Sequence, residues 1–293
     1  MRKHYDEFDA RYLNLLTDFG FHKIFGTESN KDLLRDFLNQ IIKEEGPITD
    51  IKILPPEQWG NLENERKAVF DIFCKTDGGE YFIVEMQKAQ QPFFFDRSIF
   101  YASMAIQKQV PKGLWNYRLH KVYLVAILDF VLFDKLEKGK DFVVERIQLV
   151  RENTNTAYSG ILKFAFVELP KFRKREEELR TNFDKWVYIL KNLPNLKDRP
   201  DSIRGEIFDK LFELSEVKQL TKKDMGKYKK SISEYYDVRL CMDFAAEEAR
   251  EETREEERNA IIKKFFQKNV AIEDIIFFTG YTEDQILRLK NKL

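Results

Sequence analysis

Histidine and cysteine are both scarce in this chain of 293 residues, which has three His (His4, His22, His120) and two Cys (Cys74, Cys241). So few imidazoles argue against a His-rich zinc site and against a nucleophilic triad built on His. The two cysteines stand far apart and in no metal-ligand spacing, so the chain is not a disulfide scaffold. A Gly-rich phosphate loop is missing, which leaves nucleotide-driven chemistry without support. No apolar run approaches the roughly 18 residues of a membrane helix, and MRKHYDEFDARYLNLL has no apolar signal core. A cytoplasmic, reducing setting with no membrane partner is the default expectation. Net charge is absent too, because 50 basic and 50 acidic residues cancel. That excludes a nonspecific polycation, and any contact with nucleic acid must come from local basic patches.

What the chain does have is apolar bulk: 43% hydrophobic residues, with 26 Phe and 12 Tyr. This is ample for a buried core in one to two domains. Three zones differ in texture. Residues 12–170 mix helical and strand-like runs. Residues 171–245 are helical in pattern, broken at Pro170, Pro194 and Pro200. Residues 246–293 carry an E/R-rich run and a short apolar pair of helices.

In the first zone, Leu33, Leu34, Phe37, Leu38, Ile41 and Ile42 fall at helical spacing behind a cap at Ser29 or Asn30. ITDIKILP reads as a short strand. AVFDIFCKTDGGEYFIVEMQKA reads as a hairpin, with two alternating runs around TDGG. A helix follows over about residues 96–109. Strands then appear in LHKVYLVAILDFVLF, DFVVERIQLV and KFAFVEL. The alternation of helix, strand and hairpin predicts a mixed α/β layer fold.

The hairpin carries the chemistry. A three-residue loop, Asp77–Gly79, pairs Thr76 with Glu80 and sets Asp71 opposite Glu85; a two-residue loop would shift this by one. Alternation puts Glu85 and Gln87 on one face, which Asp71 can share. Two carboxylates that close repel unless a cation sits between them. A hard divalent ion such as Mg²⁺ prefers such oxygens together with waters. It can activate a water and stabilise charge on a phosphate. An Asp–Glu pair beside a hairpin is common and weak by itself. The apolar settings VFDIF and FIVEM strengthen it, because a charge held in such a run is usually paired or functional.

These residues resemble the PD-(D/E)XK nuclease superfamily through the spacing of Asp71, Glu85 and Gln87, with Gln where Lys is usual. The chain is more specifically similar to the Rpn-type recombination-promoting nuclease and transposase group. The matching pieces are TDFGFHKIFG, the core FDIFCKTDGGEYFIVEMQ, RSIFYASMAIQKQ, LHKVYLVAILDF, YKKSISEYYDVRLCMDFAAEEA and VAIEDIIFFTGYTEDQILRL, in that order along nearly the whole chain. The resemblance implies a PD-(D/E)XK core, a mixed central sheet flanked by helices, followed by a helical C-terminal region. It implies an endonuclease that hydrolyses DNA phosphodiesters with Mg²⁺ or Mn²⁺ in recombination or mobile-element movement. Asp71 and Glu85 match the metal-binding acids, and Gln87 the third core position. Asp18 matches an N-terminal acid that either adds to the metal site or caps the helix Gly20–Phe25. Arg97 lies in a matching segment, where it would steady the scissile strand. Tyr101, four residues on, shares its helix face and packs; Gln109 falls in the same segment. Lys23, beside His22, is a surface lysine or a phosphate contact. A homodimer follows only by analogy with nucleases that cut two strands.

KFRKRE (Lys171–Glu176) and KKDMGKYKK (Lys222–Lys230) are the densest basic stretches, read as solvated helix faces before DNA-backbone contacts. EEAREETREEER reads as a solvated helix held by side-chain pairs. The last two short helices outline a helix-turn-helix with few base-reading side chains, so a docking element is the better account. The rival class is a degenerate nuclease fold that binds nucleic acid or a protein without cutting; a third is a recombination accessory protein acting through its tail.

Overall fold

Alternating and continuous apolar runs sort themselves into the strands of one mixed sheet. The computed structural model describes residues 10–42, 46–55, 70–133 and 142–290. Ala68, Val69 and Asp141 of the expected strands, and the C-terminal 291–293, lie outside the described residues. The strands are β1 (Ile51–Leu54), β2 (Ile72–Thr76), β3 (Tyr81–Gln87), β4 (Val122–Leu128), β5 (Val144–Arg151) and β6 (Thr156–Glu168), in the order β1-β2-β3-β4-β6-β5. β1, β2 and β3 are antiparallel, β4 runs parallel to β3 and β6, and β5 returns antiparallel on β6. β4 reads VYLVAIL and is buried at every position, as a central parallel strand covered on both faces must be. The parallel step from β3 to β4 needs a crossover, supplied by α3 (Phe94–Gln107).

The β2–β3 hairpin has the three-residue loop. The Thr76 N–H donates to Glu80 O (2.9 Å) and the Gly79 N–H to Thr76 O (3.0 Å). Gly79 has φ +93°, and a Cβ there would meet the His120 ring at 2.4 Å. Both conformation and space therefore demand glycine.

One sheet face, with Ile72, Cys74, Phe82, Val84, Met86 and Val125, packs on α1 (Asp18–Phe25), α2 (Lys31–Ile41), α4 (Asn182–Asn192) and α5 (Glu206–Ser215). Trp186 of α4 lies within 6 Å of the rings of Phe25, Phe37 and Phe208 at its centre. The helices of residues 182–215 thus share the core of the sheet, and the first compact unit extends to Val238. The other face, with Phe73, Tyr81, Ile83, Leu124 and Ala126, is covered by α3 through Phe94, Ala102 and Ala105. Asn30 precedes α2 without a capping bond; its side-chain amide donates instead to Lys23 O (2.9 Å) and ties α2 to the end of α1.

The end of β6 carries a buried ion pair. Glu168 is fully buried, accepts from the Leu132 and Phe133 N–H groups and pairs with Lys171 at 2.8 Å. Removing one partner strands a buried charge. Lys171→Ala is expected to cost about 3 kcal/mol in chemical denaturation; a cost below about 1 kcal/mol would show that the backbone donors alone hold Glu168.

Arg239–Leu293 form a second compact unit. It holds the later part of α6 (Lys222–Gln267), with α7 (Ile272–Thr279) and α8 (Glu283–Lys290). Ile262, Ile275 and Ile286 make its small core. The E/R-rich run is exposed helix, and Gly280 closes α7 with φ +69°. Among the described residues, no helix is long and apolar enough to cross a membrane.

Candidate active site

The α3-covered face of the sheet changes character at the ends of β2 and β3. On β3, Tyr81 and Ile83 are apolar on this face, and the next two positions on the same side are Glu85 and Gln87. The pairing Ile72↔Val84, carried one residue further, sets Asp71 opposite Glu85. Asp71 lies just before β2, so its side chain completes the ladder. Its Oδ2 accepts the Met86 N–H at 2.7 Å, while its own N–H points at Glu85 Oε1 at 3.4 Å. Each carboxylate therefore meets the backbone of the other's strand.

Burial dominates their electrostatics. Glu85 is 5% exposed. Loss of solvent, then the facing Asp71 charge, pushes its carboxyl up to about 8. Asp71 keeps an exposed edge, but shielding of its carboxyl pushes it up to about 6, against the pull of the Met86 N–H bond. Neither carboxylate has an ion-pair partner among the described residues. Two acids held together without a compensating cation form a donor set that suits a hard divalent ion.

Gln87 links the acids to α3. Its Nε2 donates to Glu85 Oε2 (3.2 Å), and its Oε1 accepts from Arg97 Nη2 (2.7 Å). Arg97 also donates to Gln91 and lies over the Phe94 and Tyr101 rings. This explains why an amide serves at position 87. It accepts from a guanidinium and donates to a carboxylate at once. A lysine would place a second cation against Arg97 and could not accept. Tyr101 packs edge-on against Phe70 at 5.1 Å.

Asp18 lies on the other side of the sheet end. The cap of α1 is Thr17, whose hydroxyl accepts the Gly20 N–H (3.1 Å), and Asp18 is the first helical residue. Its carboxylate pairs with Lys88 Nζ at 2.7 Å. Alternation sends Lys88 to the α1 side, yet the two faces meet at the strand end. Both charges reach Asp71, Asp18 raising its pKa and Lys88 lowering it. Among the described residues, no three His, Cys, Asp or Glu side chains gather as a metal cage. A metal would therefore rest on Asp71 and Glu85, with waters or substrate completing the shell.

Other candidates are engaged elsewhere. Gln109 holds the His120 backbone through both ends of its amide, at 2.7 and 3.1 Å, and fixes the approach to β4. Lys23 lies over the Phe19 ring. In the stretch 171–176, Lys171, Lys174 and Arg175 pair with Glu168, Asp184 and Glu178. Sequence reading passed over Gln91 as a partner of Arg97; the run Gln90-Gln91-Pro92 after a strand was the available signal.

With this geometry established, a sequence model of the family described as "PD-(D/E)XK nuclease family transposase" matches residues 15–245. No curated protein matches the chain, and no solved structure does.

Proposed function

The chain belongs to the PD-(D/E)XK nuclease family transposases, and from that premise we propose that it is a metal-dependent DNA endonuclease serving recombination or the movement of mobile elements. The observation that carries the reading is the facing pair Asp71 and Glu85, the latter buried, with no ion-pair partner among the described residues and tied through Gln87 to Arg97.

Asp71 and Glu85 would hold Mg²⁺ or Mn²⁺. When bound, such an ion offsets charge developing on a phosphodiester and makes a water more acidic. Gln87 keeps Glu85 turned toward Asp71 and orients water or phosphate. Arg97 keeps three further N–H groups beyond its bonds to Gln87 and Gln91 and steadies the scissile strand. Asp18, for which a place in the metal site and a helix cap were equal expectations, holds Lys88 at the rim and acts on Asp71 through space. A homodimer remains part of this reading.

The test is plasmid DNA with the purified chain and Mg²⁺ or Mn²⁺. Metal-dependent nicking or cutting is expected, and intact plasmid under every metal condition would sink the catalytic claim. Asp18→Asn is expected to slow cleavage about 10-fold, the scale of an outer-shell change. A loss as deep as that from removing Asp71 would make Asp18 a ligand. One observation favours binding without cutting: Gln87 leaves the third core position without a cation. Retained DNA affinity in a chain that never cuts would select that reading.

Protons and metal compete for the same oxygens. The two acids are raised, to about 6 and about 8, so the ion must displace protons below that range. Calorimetry should show Mn²⁺ affinity rising from pH 6 to 8 with proton release on binding; a pH-independent affinity would place the ion elsewhere.

A further inference from the structure

The long hairpin of β5 and β6 leaves one sheet edge open. β5 is the last strand in the order and pairs only with β6 among the described residues. From Arg146 to Arg151 every residue is exposed. Three of them are large and apolar: Ile147 (38% exposed), Leu149 (50%) and Val150 (47%). A row of unpaired backbone groups flanked by exposed aliphatics invites another strand, and soluble proteins seldom leave such an edge bare. The opposite edge, β1, offers only four residues.

The strand is complementary to itself. Laid antiparallel against a second β5 about a two-fold axis at Gln148, it sets Glu145 opposite Arg151 and Ile147 opposite Leu149, each twice. Arg146 falls opposite Val150, and its guanidinium is already turned back to Ile41 O (2.8 Å). Shifting the register by two residues breaks the match. One shift sets Glu145 against Leu149; the other sets Ile147 against Arg151. Opposite charges and apolar pairs at facing positions are what stabilise a ladder, and an isologous two-fold contact is the commonest way for a chain to pair with its own copy. Arg151 bonds Thr156 across the hairpin, which holds it at the strand end.

We propose that β5 pairs with β5 of a second copy, in the register centred on Gln148, to make a continuous twelve-stranded sheet, two copies of the six-stranded one. This gives the two-copy reading above a surface, and it stands or falls on mass rather than on cleavage at Asp71 and Glu85.

The test uses the full chain in analytical ultracentrifugation across a concentration series. Wild type is expected to dimerise. Glu145→Arg and Arg151→Glu each set two like-charge pairs across the axis, and each should weaken the dimer about 10-fold or more. Mixing the two variants restores both pairs, so the mixture should dimerise where neither variant does. Leu149→Lys should leave monomer that no partner rescues. Circular dichroism and thermal melts matching wild type establish that these exposed changes leave the fold intact. A wild type that stays monomeric at every concentration overturns the proposal. So does a dimer indifferent to all three changes, or charge variants that fail to recover on mixing. If cleavage is absent but the mixing result holds, the proposed chemistry fails and the interface stands.

Discussion

Asp71→Ala is expected to lower DNA cleavage on the order of 10³-fold while leaving the melting temperature nearly unchanged. The change removes one of two carboxylates in a site with no third acid among the described residues. The transition-state stabilisation a divalent ion supplies is several kcal/mol, and about 4 kcal/mol corresponds to that factor. The fold should tolerate it, because two small effects oppose each other. The bond from the Met86 N–H to Asp71 is lost, which costs about 1 kcal/mol. Repulsion against Glu85 is lost with it, which returns a similar amount. Gel-based nicking rates and thermal melts of the two proteins check both halves. Equal cleavage by wild type and variant would mean that the cut is made elsewhere.

Glu85→Gln is expected to do two opposite things: end metal-dependent cleavage and stabilise the metal-free chain at pH 8. Glu85 is raised to about 8 in the folded state, from an ordinary value of 4.5. A folded state that binds more protons than the unfolded one loses stability as pH rises. For this group, stability is fully present below pH 4.5 and declines until the folded carboxyl ionises near 8. A neutral amide of the same shape removes that decline. The gain in metal-free protein should be on the order of 4 kcal/mol at pH 8 and vanish near pH 4. Denaturation in EDTA across this range reads it directly. The same variant should lose the stabilisation that Mn²⁺ gives wild type. A variant less stable than wild type at pH 8 would show that Glu85 is a structural anion held by its hydrogen bonds, contrary to the proposed site.

Part of this arrangement is legible in the sequence alone. TDGG marked a turn between two alternating runs and left two registers open, and the fold took the one with a three-residue loop that sets Asp71 against Glu85. VYLVAIL announced a strand, and the fold buries it at every position. Less legible was the length of β6, thirteen residues where KFAFVEL covers seven. Its first half reads TAYSGI, a mixed run that includes a glycine and carries no clear strand alternation, and its extended form comes with the pairing to β5. The helix α3 begins at Phe94, two residues earlier than the pattern suggested, behind a left-handed Phe93.

The sequence by itself determined the local periodicities and the place of the hairpin, because these depend on neighbours a few residues apart; the loop length, and with it the pairing of the two acids, was settled by the fold. The sequence also determined the family, through the order of segments spread along the chain. Only the tertiary structure decided the partners. Arg97 came to Gln87 because α3 crosses the sheet end, and Asp18 came to Lys88 because α1 covers the opposite face. Helices 182–215 joined the core because Trp186 fills a space among residues distant in sequence. The exposed edge of β5 depends on which strand ends the sheet, and strand order is set by packing across the whole unit rather than by any local run.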